Sequence, residues 1–372
     1  MDQQICCIFN LAPHYNAPVY TLMDKELKCD FFIGDRIAYP LELMNYERLN
    51  GFKNELKYKP LIGNFYWQKG AVALAFKPYR HYILTGEPHC ISVWVILLLN
   101  RISGRKSYLW THGWYGDESI LKKMIKKLFF GLSHKVLLYG DYARNLMIKE
   151  GINRNKLLTI YNSLDYDRQM EIRQCLKDTF IYKEHFNNEY PVLLYIGRIQ
   201  SRKKIELLIE AMNELQKAKR FCNLILIGKQ ADETDINKLI SMYRLGEYVW
   251  FYGPCYDENI LGELIYNANV CISPGNVGLT AIHCMVYGTP VISQDNFKQQ
   301  MPEFEAIQPN ETGDFFIENS VEDLISKILK WISITKKERD SVRRHCYRVV
   351  DEKYNPRMQV DVIKRAINFS KK

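Results

Sequence analysis

The sequence predicts an α/β protein built from two doubly wound domains, and three observations predict it. Short apolar runs of strand length alternate with segments of helical period along most of the chain. Gly- and Pro-bearing junctions separate the two kinds of segment. At 372 residues the chain is too long for one ordinary core and suits two domains of the usual size. With 47% hydrophobic and 25% charged residues it is globular throughout. No low-complexity stretch, internal repeat or long linker interrupts it.

In the N-terminal half the candidate strands are Ile5 to Asn10, Asp30 to Gly34, Tyr82 to Gly86, Ser107 to Thr111 and Lys135 to Tyr139, with helices after most of them. The first loop, Ala12 to Pro18, lacks paired glycines, so it is either an ordinary turn or a place where His14, Tyr15 and Asn16 supply side-chain contacts. The segment Thr111-His112-Gly113-Trp114-Tyr115-Gly116-Asp117 follows a strand and so lies at its carboxyl end, where α/β sheets bind ligands. A histidine such as His112 can take a proton or donate a hydrogen bond near neutral pH. Asp117 and Glu118 begin a helix and read as its caps. Trp114 and Tyr115 suit either stacking on a ligand or packing.

The next helix, Leu121 to Phe130, puts Lys122, Lys123, Lys126 and Lys127 on one side and Leu121, Ile125, Leu128 and Phe129 on the other. Such a basic amphipathic surface suits anionic lipid. The alternative is a surface helix whose apolar side packs on the sheet, still presenting its lysines outward.

In the C-terminal half the run Val192 to Ile196 leads into Gly197-Arg-Ile-Gln-Ser-Arg-Lys-Lys204. A helix follows, with apolar positions Ile205, Leu208, Ile209, Met212 and Leu215. Arg198 and Lys203 therefore occupy a strand-to-helix loop, where cations can neutralise a diphosphate. A second junction runs from Asn269–Ser273 through Pro274, Gly275 and Gly278 into a helix at Leu279, Ile282, His283 and Val286. It stops at Gly288 with Pro290 behind it. A helix start after such a loop turns free backbone N–H groups outward, and Gly278 lets a phosphate approach. Together the two junctions describe a phosphate site.

The series Gly197-Arg198 with Lys203, Asn223 to Gly228, Val249 to Gly253, Val270 to Pro274, Gly288-Thr-Pro-Val291 and Pro302-Glu303, preceded by Asn162-Ser-Leu-Asp165, resembles the retaining nucleotide-sugar glycosyltransferases of family 4, the glycosyl transferases group 1. The resemblance implies the GT-B fold, two Rossmann-like domains facing a cleft. It places an acceptor domain at 1–165, a donor domain at 166–345 and a C-terminal helix at 346–372 that crosses back to the first domain, with hinges near 165–191 and after 340. It implies a UDP-, GDP- or dTDP-linked sugar donor, a glycan or lipid-linked acceptor, retention of configuration, and no resident cofactor or metal. His112, Arg198 and Lys203 take the catalytic positions. Gly197, Gly228, Lys229, Gly253, Pro254, Asn276, Gly278, Leu279, Thr280 and His283 take the donor-binding positions. One departure stands out: the family has a Glu at each of the places held here by Gly275 and His283. A histidine can still bond a ribose hydroxyl, or it can be a satisfied core residue on its helix's apolar stripe. Gly275 offers only backbone, which leaves Asn276, Thr280 or the loop N–H groups to hold the donor sugar.

Composition excludes several other classes. The ten cysteines are scattered, with only Cys6 and Cys7 adjacent, which disfavours zinc and a disulfide framework and suits buried thiols. No signal peptide opens the chain, and the longest apolar run, Ile91 to Leu99, is far too short to span a bilayer, so a cytoplasmic protein at the inner membrane face is expected. The net charge of +9 comes without a nucleic-acid recognition motif. The rival readings are a non-catalytic GT-B scaffold that keeps nucleotide binding, and a GT-B nucleotide-sugar epimerase or hydrolase. A dinucleotide dehydrogenase would need a Gly-x-Gly-x-x-Gly after the first strand.

Overall fold

The computed structural model describes residues 5–35, 42–231 and 236–368. The chain divides into two compact units, Met1–Asp165 together with Tyr354–Lys372, and Tyr166–Lys353.

The strands of the first unit are β1 (Ile5–Phe9), β2 (Asp30–Gly34), β3 (Phe52–Pro60), β4 (Tyr66–Lys69), β5 (His81–Thr85), β6 (Lys106–Thr111), β7 (Lys135–Leu138) and β8 (Leu157–Thr159). They form one sheet in the order β4-β3-β2-β1-β5-β6-β7-β8, parallel except for the β3–β4 pair. Apolar patterning predicts β1, β2, β5, β6 and β7 to within one residue at each end. It misses β3 and β4, which lie toward one edge: β3 is mostly exposed and reads Lys-Asn-Glu in its first half. The three-residue β8 is too short to show a pattern.

Helices α1 (Ala17–Leu27), α2 (Ile91–Ile102), α3 (Ile120–Leu132) and α4 (Asp141–Lys149) complete this unit's first stretch. Period-two alternation in β1 sends Ile5, Cys7 and Phe9 to one core layer, with Val19, Met23 and Leu27 of α1. Cys6 and Ile8 join the opposite layer with Val93 and Leu97 of α2. The adjacent cysteines are thus free, buried thiols on opposite faces of the sheet.

In the second unit β9 (Val192–Ile196), β10 (Asn223–Ile227), β11 (Val249–Gly253), β12 (Val270–Ser273), β13 (Val291–Gln294) and β14 (Gly313–Phe316) form a parallel sheet ordered β11-β10-β9-β12-β13-β14. Its helices are α5 (Tyr166–Cys175), α6 (Ile181–Phe186), α7 (Ile205–Lys217), α8 (Ile236–Met242), α9 (Glu258–Asn267), α10 (Thr280–Val286), α11 (Val321–Ile332) and α12 (Lys336–Lys353). The α7 stripe of Ile205, Leu208, Ile209, Met212 and Leu215 is buried, as its period requires.

The last helix, α13 (Pro356–Ile367), belongs to the first unit. Its Val360, Ile363 and Ile367 enter the core layer of Val19, Met23 and Leu27. Gln359 donates to the Tyr161 carbonyl (3.0 Å) and accepts from Ser163 Oγ (2.6 Å), and Lys364 pairs with Glu26. The crossing begins at Tyr354, not at residue 346 as the sequence suggests. The reason is local: α12 runs unbroken to Lys353, and Asn355 then caps α13 by accepting from Met358 N (2.9 Å), with Pro356 in the first turn. A chain ending at Lys353 is expected to lose several degrees of thermal midpoint in the first unit, because it uncovers the α1 face that α13 buries.

In each sheet the strand order reverses once, at β1/β5 and at β9/β12. In open parallel sheets the carboxyl ends at such a reversal leave a crevice that neighbouring loops line.

Candidate functional site

At the β9/β12 reversal, the ends of three strands carry glycines. Gly197 N donates to Ile227 O (3.0 Å) and Gly228 N to Gly253 O (2.9 Å), which lines Gly197, Gly228 and Gly253 along the carboxyl edge. Gly228 has φ +156, and a Cβ there would stand 1.8 Å from the Gly197 carbonyl oxygen, so no side chain fits. Lys229 and Pro254 are exposed beyond this row.

The loop after β9 carries Arg198 and three consecutive cations, and the structure distinguishes among those three. Lys204 Nζ is tied to Glu318 (2.7 Å) and Asn319 (2.8 Å), toward the end of β14, and Arg202 is exposed. Lys203 is partly buried and reaches across to the second junction, donating to the Asn276 carbonyl (2.6 Å). Burial above all, then Arg202 and Arg198 against an opposing Glu303, brings its pKa down to about 8. Arg198 is half-buried and contributes to that field.

The second junction is pinned from behind. Gln300 accepts from Val277 N (2.7 Å) and donates to Ser293 Oγ (3.0 Å) and the Gln294 carbonyl (2.8 Å). No local pattern or motif around residue 300 singles out this glutamine. Thr280 Oγ1 donates to the Ile196 carbonyl (3.1 Å), which ties α10 to β9. Asn276 keeps a buried Oδ1 without a hydrogen-bond partner. Gly278 and Leu279 are half-buried at the start of α10. That helix has only seven residues, so its dipole is weak and the case for a phosphate site shifts to Arg198 and Lys203.

The two positions where the resemblance leads one to expect a carboxylate have different surroundings. A Cβ on Gly275 would lie 2.3 Å from the Arg202 carbonyl oxygen and 2.8 Å from Lys203 Cα, because Gly275 N bonds Lys203 O (2.9 Å) and draws the two loops together. A Gly275→Glu variant is expected to lose about 2–3 kcal/mol of stability, read as a lowered thermal midpoint, since neither backbone can yield. At His283 a carboxylate is present in space although absent from the sequence position. Glu258, at the start of α9, places Oε1 2.9 Å from His283 Nε2 and accepts from Tyr287 OH (2.7 Å) and Gln169 Nε2 (2.9 Å). Burial pushes the Glu258 pKa up, but His283, Gln169 and Tyr287 together outweigh it and hold it at about 2. His283 is therefore a largely buried, hydrogen-bonded residue, its side chain 15% exposed. Nothing in the local pattern near residue 283 signals Glu258, which is 25 residues away.

In the first unit the β1/β5 reversal opens into a cavity of about 470 Å³ walled by Asn10, Tyr15, Glu87, Trp110, His112 and Lys126, among others. Glu87 accepts from Tyr66 OH (2.7 Å) and Asn10 Nδ2 (3.0 Å). His112 packs its ring 4.7 Å from Tyr139 and holds a buried Nδ1 without a hydrogen-bond partner. Burial, with Lys126 adding to it, brings its pKa down to about 4, so the imidazole is neutral at physiological pH. Asn16 also lines the cavity, whereas His14 is exposed and faces the Glu42 carbonyl (3.4 Å). Trp114 is core, 5.9 Å from Phe130.

Two expectations for this region are corrected. Asp117 and Glu118 do not cap α3: Ser119 is its N-cap, and Glu118 accepts from Tyr115 N (2.8 Å) and Gly116 N (2.9 Å). Lys126 does not face outward with the other lysines. It bonds Glu118 (2.7 Å) and the Gly113 carbonyl (2.9 Å) in the wall of the cavity that His112 also lines, because a carboxylate bent back by its own loop waits for it there. The buried residues of α3 are Phe129 and Phe130, so Leu121, Ile125 and Leu128 do not pack on the sheet. No helix among the described residues is long and apolar enough to cross a membrane.

Comparison with known proteins agrees with this geometry. Residues 177–346 match the family described as Glycosyl transferases group 1. The chain is 30% identical over 116 residues to an alpha-D-kanosaminyltransferase of Streptomyces kanamyceticus, across 29% of this chain and 28% of that protein. It is 24% identical over 221 residues to a 41.2 kDa protein in the cps region of Klebsiella pneumoniae, across 58% of this chain and 53% of that one. The matches thus span about a quarter and about a half of these curated relatives. Among solved structures, the lipopolysaccharide outer core galactosyltransferase WaaB aligns with TM-score 0.69 at 15% identity, covering 98% of this chain and 99% of that one. Anabaena HepE in complex with UDP aligns with TM-score 0.71 at 14% identity over 98% and 99%. A glycosyltransferase from Rickettsia africae does so with TM-score 0.71 at 16% over the whole of both chains. The chain has the GT-B fold, and its residues 177–346 match the Glycosyl transferases group 1 family.

Proposed function

We propose that this protein transfers a sugar from a UDP-, GDP- or dTDP-linked donor to a hydroxyl of a glycan or lipid-linked acceptor, at a membrane surface and in polysaccharide assembly. The observation that carries the reading is Lys203 reaching across to the Asn276 carbonyl (2.6 Å) at a strand-order reversal, with Arg198 close enough to add to its electrostatic field. UDP in the HepE structure supports a nucleotide-sugar donor.

In this reading the second unit binds the donor diphosphate and the first unit the acceptor. As the sugar–phosphate bond breaks, negative charge grows on the leaving diphosphate, and Arg198 and Lys203 stabilise it where a metal ion would otherwise serve. The glycine row at Gly197, Gly228 and Gly253 admits the nucleotide close to backbone. Asn276 offers its Oδ1 to a donor hydroxyl, and His283, steadied by Glu258, meets the ribose. The acceptor hydroxyl attacks the face the diphosphate leaves, which retains configuration. Neutral His112 accepts a hydrogen bond, or the proton, from a hydroxyl bound in the first unit's cavity.

The test is calorimetric titration with UDP, GDP and dTDP and their sugars, followed by transfer and hydrolysis assays with and without EDTA. Binding of one nucleotide by wild type and not by an Arg198→Ala, Lys203→Ala variant, with turnover unchanged in EDTA, is the expected result. Binding of none would end the donor reading. Binding without turnover of any sugar nucleotide would favour a scaffold, for which the bare backbone at Gly275 is the motivating observation.

A further inference from the structure

Helix α3 leaves an apolar side uncovered. Ile120, Leu121, Met124 and Leu128 are 79%, 67%, 63% and 62% exposed, and Ile125 is exposed as well. A helix of a globular domain ordinarily turns such a stripe onto its core. On α2, which packs against α3 through Trp94 and Phe129 (ring centroids 4.9 Å apart), Leu98 and Ile102 are exposed too. Single exposed leucines are unremarkable, but five large apolar residues on one helix of 13 form a ridge that calls for an occupant.

The charges bordering the ridge are mostly of one sign. Lys122 is exposed and has no acidic partner among the described residues, and Lys127 is exposed beside Glu150 (3.5 Å). At the carboxyl end of α3, Arg101 and Lys156 both donate to the Gly131 carbonyl, at 3.2 and 2.8 Å. Of the nearby acids, Glu150 pairs with Lys123, Glu118 is turned inward onto Lys126, and Asp117 is exposed ahead of the helix. An apolar ridge with a cationic border matches the interface of an anionic bilayer, where acyl chains receive the apolar side chains and lipid phosphates meet the lysines. A second copy of this chain would bring the same positive border to the contact and repel it.

We propose that α3 and the end of α2 form a docking face that inserts Ile120, Leu121, Met124 and Leu128 into the headgroup boundary of an anionic membrane. This deepens the function proposed above and rests on it for the reading that the acceptor is lipid-linked. The inserted element is the apolar ridge, with Lys122 and Lys127 at its rim and Lys126 taking no part.

The experiment is co-sedimentation of the full chain with vesicles of phosphatidylcholine alone or mixed with phosphatidylglycerol. It compares wild type, a Leu121→Ser, Met124→Ser, Leu128→Ser variant and a Lys122→Glu, Lys127→Glu variant. Wild type should bind the mixed vesicles, and each variant should bind them at least about tenfold more weakly, as expected from losing buried apolar area or surface charge. Unchanged thermal midpoints show that the variants fold, and nucleotide titration of the same samples reports on the donor reading separately. Wild type binding neither vesicle, or the serine variant binding as well as wild type, overturns the proposal. A dimer in lipid-free solution that the serine variant dissolves also overturns it, by assigning the ridge to a second copy.

Discussion

Lys203→Met should weaken nucleoside diphosphate binding by about tenfold to a hundredfold, the worth of one charge-assisted hydrogen bond to phosphate. The methionine keeps most of the length of the side chain and removes the charge, so the second unit should still fold. Binding should also depend on pH in a way that identifies the residue. With its pKa held at about 8, Lys203 loses its proton as pH rises through that value, and wild-type affinity should fall across the same range. The variant should lack that limb. Stability runs the other way. Between about 8 and the ordinary lysine value of 10.5 the unfolded chain holds a proton that the folded chain has lost, so wild type gains stability with rising pH relative to Lys203→Met. Integrated over that window the difference is on the order of 3 kcal/mol. Calorimetry from pH 7 to 9.5 and denaturant melts of both proteins measure the two effects. Equal pH profiles for wild type and variant would remove Lys203 from the diphosphate site.

His112→Ala is expected to lower turnover by about a hundredfold to ten-thousandfold, the range for loss of a positioned proton acceptor. Nucleotide affinity, which this reading places in the second unit, should stay the same. Since the folded pKa is about 4, the imidazole remains neutral well below the ordinary value of 6.5, and the acid limb of kcat/KM should fall near 4 and not near 6.5. The linked stability has a definite sign. As pH falls from 6.5 toward 4 the unfolded chain takes up a proton that the folded chain does not, so wild type loses stability there and His112→Gln should lose less. A steady-state pH profile and acid melts of both proteins test this. An acid limb at 6.5 that survives in His112→Gln would assign the titration to another group.

Much of the fold was legible because its determinants are local. The strands β1, β2, β5, β6, β7 and β9, and the stripe of α7, are written in the periodicity of neighbouring residues, which water and burial enforce wherever the chain folds. The strand-to-helix junctions at Gly197 and Gly278 were legible for the same reason, since Gly and Pro mark sharp turns directly. The polar β3 and the short β8 escaped because an edge or near-edge strand need not be apolar on both faces.

The chain's sequence by itself determined which segments are strands, which loops end at the sheet's carboxyl edge, and which residue types those loops present. Only the tertiary structure decided which of the candidates face one another. It drew Lys203 to Asn276 and Lys204 away to Glu318. It placed Glu258 against His283, closed Gly275 to any side chain and turned Lys126 inward onto Glu118 while leaving the apolar ridge of α3 exposed. The physical reason is range. Periodicity acts between residues a turn or a pleat apart, whereas a buried polar group must find its partner wherever the packed chain supplies one, and that partner here is 73 residues away for Lys203 and 25 for His283.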